Sequence, residues 1–255
     1  MASDTVPERT IPTREQQPMD WVEGLEGAAS KFLDEKLSEF LASPYTKNLL
    51  AKDEVQPSLV GLSRSLGHRY ANATFATYRI YDDNQRAIVE RLKRFAAAMP
   101  EHLAQGCGLV LFGAQGTGKD HLLAALLKIA VAGFSLKVRW FDGGELYDAF
   151  LRAVKVDSGD AMDKLQAKLR EPHILAISDP QPPTGVLTDA QLRRLRDTID
   201  WRYRDGKATW ITTNLDNAEL SKTILTAPLL DRIKEGAALI DCNWPSHRTT
   251  VKATW

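Results

Sequence analysis

Cysteine is scarce in this sequence, in which Cys107 and Cys242 are the only two. Two cysteines are too few for a disulfide framework, and these two lack the spacing of a zinc site. Such usage is typical of proteins kept in a reducing compartment, so we expect the protein in the cytoplasm.

Net charge and long apolar runs are lacking as well. Lysine and arginine together number 33, as do aspartate and glutamate, so the formal net charge is zero. Any contact with nucleic acid must therefore come from a local basic patch rather than from a global field. The longest apolar candidate, Leu122 to Phe134, is too short for a bilayer and carries Lys128. We therefore expect no membrane contact.

The N-terminal part of the chain differs in pattern from the rest. Residues 1–18 lack the apolar core of a signal peptide and contain three prolines, which predicts a disordered tail. Over residues 19–43 apolar residues recur every three or four positions, which predicts one or two amphipathic helices. These helices pack either on the main domain or on a partner, and the pattern does not distinguish the two. Residues 44–68, with Pro57 and Gly61, are interpreted as a linker or an irregular segment.

The remainder of the chain, residues 69–255, alternates strand and helix patterns. The predicted strands are Leu109–Phe112, Leu136–Phe141, Ile174–Ile177 and Ala208–Thr213. The predicted helices lie around 88–99, 122–129, 146–151, 161–170 and 191–204, with Pro100 marking the end of the first. This alternation is typical of a parallel α/β sheet flanked by helices.

A phosphate-binding loop lies between the first predicted strand and the helix after it. The residues from Gly113 to Lys119 match the motif G-x-x-x-x-G-K. Its glycines permit backbone conformations that aim N–H groups at a phosphate, and Lys119 would reach the β- and γ-phosphates. The alternative is a glycine-rich turn with an incidental lysine. The predicted nucleotide-binding residues are Gly113, Ala114, Gln115, Gly116, Thr117, Gly118, Lys119, Asp120 and His121, together with Arg248.

The motif departs from the usual pattern at its last position, where Asp120 stands in place of a serine or threonine. The hydroxyl at this position usually serves Mg²⁺. A carboxylate is also a hard oxygen ligand for Mg²⁺, but it adds negative charge beside a triphosphate. The sequence therefore predicts binding of a nucleoside triphosphate and leaves its hydrolysis open.

A second polar group follows the strand Ile174–Ile177, which ends in Ser178 and Asp179 before Pro180. In phosphate-loop ATPases this position carries acidic residues that hold Mg²⁺ and polarise the attacking water. Only one carboxylate is present here, and Asp179 is either a metal anchor, a water-polarising base or a turn cap before the proline. We hypothesise that Asp120 and Ser178 have exchanged the usual tasks of the two positions, so that the loop supplies the carboxylate and the second strand supplies the hydroxyl. The predicted metal ligands are Asp120, Ser178 and Asp179.

Three further polar residues are candidates for the same site. Asn214 ends the strand Ala208–Thr213 and either orients water near the γ-phosphate or forms a turn. Arg232 either reaches the nucleotide of a neighbouring subunit or pairs with Asp231 or Glu235 on the surface. Arg248 is a second candidate cation with a similar surface alternative.

With these segments in order, the chain resembles bacterial replicative-helicase loaders of the DnaC type. More broadly, it resembles the AAA+ group that also contains the IstB-like transposition helper ATPases. The resemblance covers roughly residues 69–252 and rests on the order and spacing of several motifs. These are Tyr70–Phe75, Gly113–Leu122, the strand to Asp179, Thr212–Leu215, Leu230–Arg232 and Asn243–Arg248.

The resemblance implies that residues 69–255 form an AAA+ P-loop domain that binds ATP and Mg²⁺. It also implies contact with single-stranded DNA and assembly into a homo-oligomer in which Arg232 completes the neighbour's site. In the same way Asp179 takes the acidic role, Asn214 is the first sensor and Arg248 the second. The helical segment 19–43 would then bind the replicative helicase, although its sequence carries no motif that matches.

The predicted helix 191–204 is a candidate surface for single-stranded DNA. It combines cations with aromatic rings, namely Arg193, Arg194, Arg196, Arg202, Arg204, Trp201 and Tyr203. Cations that follow the backbone and rings that stack on bases suit single strands. Interleaved aspartates fit a solvated, ion-paired helix equally well.

The leading interpretation is thus an ATP-dependent helicase loader in DNA replication, with ATP hydrolysis that is weak or stimulated by DNA. One alternative is a transposition helper ATPase that forms filaments on duplex DNA. Another is a nucleotide-binding switch with little hydrolysis, which the unusual Asp120 and Ser178 favour.

Overall fold

The computed structural model describes residues 56–156, 159–181, 187–215 and 236–248. The predicted tail, the helical segment 19–43 and Arg232 lie outside the described residues. The account below concerns the described ranges alone.

A parallel sheet of five strands forms the centre of the described chain. Its strands are β1 (Gly108–Phe112), β2 (Val138–Asp142), β3 (Ile174–Ser178), β4 (Ala208–Thr212) and β5 (Ala237–Asp241). The order across the sheet is β2-β3-β4-β1-β5, and every neighbouring pair is parallel. The four predicted strands are confirmed within two residues at each end, whereas β5 was not predicted.

Helices cover both faces of the sheet. They are α1 (Gln56–Leu66), α2 (Asp83–Ala97), α3 (Met99–Ala104), α4 (Lys119–Phe134), α5 (Gly143–Lys155), α6 (Gly159–Arg170) and α7 (Asp189–Arg204). The first, second and fourth pack with one face of the sheet in one core, and the last three pack with the other face in a second core. Within the described ranges none of these helices is long and apolar enough to cross a membrane.

The interior strand β1, which lies between β4 and β5, shows why its sequence is a continuous apolar run. Leu109 and Leu111 point into the first core, and Val110 and Phe112 point into the second. All four side chains are buried. A parallel strand covered by helices on both faces has no solvent-facing side, so apolar residues fill consecutive positions.

The helix that follows the phosphate loop is buried along most of its length. Leu122, Leu123, Leu126 and Leu127 of α4 have no exposed surface. Burial of each such leucine contributes about 2 kcal/mol to folding. This burial holds the loop before α4 at the carboxyl edge of the sheet.

Two predictions in the N-terminal half need correction. Part of the segment interpreted as a linker or irregular, residues 44–68, is the helix α1, whose Leu62 and Leu66 belong to the first core. The four-residue spacing of these leucines places them on one helix face. The first predicted helix, α2, ends at Ala97 rather than at Pro100. Pro100 instead lies in the first turn of the separate helix α3, where a missing backbone N–H costs no hydrogen bond.

One arginine predicted to contact DNA is instead part of the interior. Arg202 is fully buried, and its guanidinium donates hydrogen bonds to the carbonyls of Leu169 (2.9 Å), Pro172 (3.0 Å) and Ala208 (2.6 Å). It also donates to Thr209 Oγ1 at 3.1 Å. Burial lowers the pKa of Arg202 to about 10. The prediction that Arg202 contacts single-stranded DNA is therefore wrong, because its donors tie α6 and α7 to the start of β4.

We expect Arg202→Met to lower the free energy of unfolding by about 3 kcal/mol, because it leaves several buried carbonyls without a donor. Urea unfolding followed by circular dichroism measures the change. Arg204→Met is the matched control, since Arg204 is exposed at the end of the same helix. Equal stability of the two variants would contradict this role of Arg202.

Candidate functional site

The phosphate loop connects β1 to α4 and takes the conformation that its glycines permit. Gly116 and Gly118 have positive φ angles of 82° and 88°. A Cβ on Gly118 would lie 2.6 Å from Tyr78 Cε2, and one on Gly116 would collide with the Ser246 side chain. Glycine is therefore required at both positions for backbone angle and for space.

The loop is held in place by residues distant in sequence. The Thr117 carbonyl accepts hydrogen bonds from Tyr78 Oη (2.7 Å) and from Trp244 Nε1 (2.9 Å). The backbone N–H of His247 donates to the Gly116 carbonyl at 2.8 Å. Segments before β1 and after β5 thus fix the loop from two sides.

Lys119 is buried at the centre of the loop. Its ammonium donates to the carbonyls of Gly113 (2.8 Å) and Ala114 (2.7 Å) and to Asn214 Oδ1 (3.1 Å). Burial lowers the pKa of Lys119. The predicted phosphate cation therefore lies beside the predicted first sensor.

Asp120 is the centre of a hydrogen-bond network that joins α4 to the sheet. Its Oδ1 accepts from Ser178 Oγ at 2.9 Å and from Thr212 Oγ1 at 2.6 Å, and its Oδ2 accepts from Tyr70 Oη at 3.2 Å. Ser178 and Thr212 are neighbours in the β3–β4 register. The carboxylate on the loop and the hydroxyl on the second strand thus occupy one site.

Asp179 follows β3 in a left-handed backbone conformation. Its φ of 44° lies in the left-handed region, which residues other than glycine, asparagine and aspartate rarely adopt and which recurs at active sites. Its carboxylate accepts a hydrogen bond from Asn214 Nδ2. Burial, and then the nearby Asp120 carboxylate, raise the pKa of Asp179. Asn214 therefore connects the two residues: its amide oxygen accepts from Lys119, and its amide nitrogen donates to Asp179.

A cavity of about 420 Å³ lies over the loop and the carboxyl ends of the strands. Of the predicted site residues, it is lined by Gly116, Gly118, Lys119, Asp120, His121, Ser178, Asp179, Asn214 and Arg248. The remaining loop residues Gly113, Ala114, Gln115 and Thr117 do not line it and instead build the turn. Three arginines at the cavity, Arg69, Arg79 and Arg248, are exposed and suited to an anion.

His121 has a structural contact in addition to its place on the cavity wall. Its Nε2 lies 2.8 Å from the Thr74 carbonyl, which holds the segment before α2 against α4. Burial lowers the pKa of His121.

The residues present fit a nucleotide with a divalent cation. Among the described residues no group of three or more histidine, cysteine, aspartate or glutamate side chains could hold a metal ion by itself. Mg²⁺ in nucleotide sites is commonly held by one or two carboxylates, while phosphate oxygens and water supply the other ligands. Asp120, Asp179 and the Ser178 hydroxyl provide such hard oxygen donors beside the phosphate loop.

Sequence reasoning did not assign Thr212 or Tyr70 to the Asp120 site. Thr212 pairs with Ser178 in the register of β3 and β4. The feature in the sequence that could have indicated it is a hydroxyl residue at the end of each of these two strands. Tyr70 donates from a segment 50 positions earlier, and no local pattern indicates that contact. Burial, with Asp120 beside it, raises the pKa of Tyr70 to about 12, so its hydroxyl is a donor at neutral pH.

Comparisons with known proteins identify the family of the chain. The model of the family described as IstB-like ATP binding protein matches residues 72–254. A curated relative, the replicative helicase loader DnaC of Buchnera aphidicola subsp. Acyrthosiphon pisum (strain APS), is 25% identical over 186 residues. That alignment covers 72% of each chain.

Solved structures share the fold. The crystal structure of the DnaC helicase loader superposes with a TM-score of 0.61 at 24% identity, covering 69% of this chain and 99% of that one. DnaA from Aquifex aeolicus with bound AMPPCP gives a TM-score of 0.55 at 18% identity, covering 69% of this chain and 50% of that one. The fold is therefore that of an AAA+ P-loop domain, as predicted.

We expect Ser178→Asp to lower the free energy of unfolding by about 2 kcal/mol at pH 7, because it places a second carboxylate against Asp120. Adding Asp120→Thr should restore most of this loss by removing one of the two charges. Urea unfolding of the single and double variants measures both effects. Ser178→Asn, similar in shape without the charge, is the control, and simply additive losses would contradict the shared site.

Proposed function

Because the chain belongs to the IstB-like ATP-binding protein family, we propose that it binds ATP with Mg²⁺ in the phosphate-loop cavity and acts as a loader of a replicative helicase in DNA replication. The observation that carries the ATP site is the contact set of Lys119, Asp120 and Asn214 at the end of the sheet. We propose the cytoplasm as its location.

The loop and its neighbours have distinct roles in this proposal. The backbone N–H groups of Gly116 and Gly118 bind phosphate, and Lys119 leaves its carbonyl partners to contact the β- and γ-phosphates. Asp120, Ser178 and Asp179 would hold Mg²⁺, which neutralises charge on the phosphate oxygens when bound. Arg248, exposed at the cavity, is the proposed second sensor.

Hydrolysis requires a group that orients and polarises water. Asp179 has a raised pKa and a hydrogen bond from Asn214, so it is the proposed water-polarising base. The same Asn214 contacts Lys119, which supports a role in detecting the γ-phosphate. Arg232 remains the proposed finger for a neighbouring subunit in a homo-oligomer.

The loader role rests on the curated relative of that name and on the fold shared with the DnaC helicase loader. The segment 19–43 is the proposed helicase-binding arm. Single-stranded DNA remains a proposed ligand, with Arg193, Arg196 and Arg204 exposed on α7. Arg202 is excluded from that surface by its burial.

Two other functions have specific support. The family description favours a transposition helper that assembles on duplex DNA. The replacement of the second-strand carboxylate by Ser178 favours a nucleotide-binding switch with little turnover, because Asp120 and Asp179 are then the carboxylates beside the phosphate loop. Asp142 also lines the cavity, but its carboxylate caps α5.

We expect the purified protein to bind ATP, and Lys119→Ala to weaken that binding about tenfold or more by removing a charged phosphate contact. Isothermal titration with and without Mg²⁺ measures the affinity. Lys168→Ala is the matched control, since Lys168 is exposed on α6 and does not line the cavity. Failure of the unaltered protein to bind ATP would refute the nucleotide site.

We expect single-stranded DNA to raise ATP turnover, and Asp179→Asn to reduce turnover about 100-fold while ATP still binds. Phosphate release, measured with single-stranded DNA, with duplex DNA and with none, separates the candidates. Turnover stimulated by duplex DNA, with filaments in electron micrographs, would favour the transposition helper. Binding without turnover under all conditions would favour the switch.

A further inference from the structure

The segment between α1 and α2 is bound tightly to the helix that carries Asp120. Lys128, two turns further along α4, donates hydrogen bonds to the carbonyls of Tyr70 (2.8 Å), Ala71 (2.7 Å) and Ala73 (2.9 Å). His121 adds its contact with the Thr74 carbonyl. The backbone of residues 70–74 therefore has a defined position relative to α4.

This attachment places the Tyr70 side chain against the Asp120 carboxylate. The phenol donates to Oδ2, whereas Ser178 and Thr212 both donate to Oδ1. Within the described ranges, Tyr70 supplies the one hydrogen bond recorded on Oδ2. The two strand hydroxyls anchor one oxygen, and Tyr70 determines the direction of the other.

We propose that Tyr70 is a positioning residue that orients the Asp120 carboxylate for the divalent cation of the bound nucleotide. This inference rests on the proposed function, because it concerns the metal of that same site. Tyr70 acts through Asp120 and lies in a segment outside the phosphate-loop motif. Through Tyr70, the segment before the sheet affects how tightly the site binds its divalent cation.

The contact matters because of the residue at position 120. A serine or threonine hydroxyl has a single oxygen, whose direction follows from one side-chain rotation. A carboxylate has two oxygens and a second rotatable bond, so it needs donors on both oxygens to hold one orientation. Tyr70 supplies the donor that the hydroxyls of β3 and β4 do not.

The test is a Mg²⁺ titration of ATP binding in Tyr70→Phe, with a fluorescent ATP analogue as the probe. Loss of one hydrogen bond to a charged acceptor should raise the half-saturating Mg²⁺ concentration about fivefold. Binding of the analogue in the presence of a chelator should stay unchanged. Tyr203→Phe is the matched control, because Tyr203 is a partly exposed tyrosine that does not line the cavity.

A double-variant cycle separates positioning from a general structural effect. In an Asp120→Thr background, Tyr70→Phe should leave the Mg²⁺ dependence unchanged, since the carboxylate it orients is gone. An equal shift in both backgrounds would overturn the inference. So would an unshifted Mg²⁺ dependence of Tyr70→Phe while the unaltered protein binds ATP in a Mg²⁺-dependent manner. If the unaltered protein shows no Mg²⁺-dependent binding, the inference fails together with the proposed metal site.

Discussion

Burial of α4 is the constraint on which the described structure depends. The helix lies in the core with its leucines fully enclosed. Its residue Lys119 is buried, and Asp120 and Lys128 are half-buried, so these polar groups lose contact with water and need partners. Lys119 finds them in loop carbonyls, Asp120 in two strand hydroxyls and a phenol, and Lys128 in three carbonyls of the preceding segment. These contacts bring the loop, the strand ends and residues 70–74 together at one edge of the sheet.

Several residues in these contacts, among them Lys119, Asp120 and Tyr70, also line the cavity. Asp120 has a carboxylate where the phosphate-loop motif ordinarily ends in a hydroxyl, and Ser178 has a hydroxyl where the second strand ordinarily ends in a carboxylate. Their oxygens are 2.9 Å apart, so the loop carboxylate and the strand hydroxyl meet at one point of the site. Carboxylates at both position 120 and position 178 would place two like charges in direct contact there.

Prediction from sequence succeeded where a local pattern decides the structure. The buried strands β1 and β3 have short apolar runs, and the glycines at 116 and 118 meet both a positive φ and a close neighbour. It failed where tertiary contacts decide. The strand β5 is a run of only five residues that ends in a charged one, and α1 carries few apolar positions. Arg202 has the sequence context of a surface cation, and only its carbonyl partners show that it is buried.

The sequence by itself determined the residue types of the site, because the phosphate-loop spacing and the polar residues after each strand are local features. Parallel strands also place those polar residues at one edge. Only the tertiary structure decided which of them meet, since Asp120 contacts Ser178 across 58 positions and Thr212 across 92. Such pairings depend on which strands are neighbours in the sheet, and the order β2-β3-β4-β1-β5 follows from the packing of the whole core rather than from the sequence of any one strand.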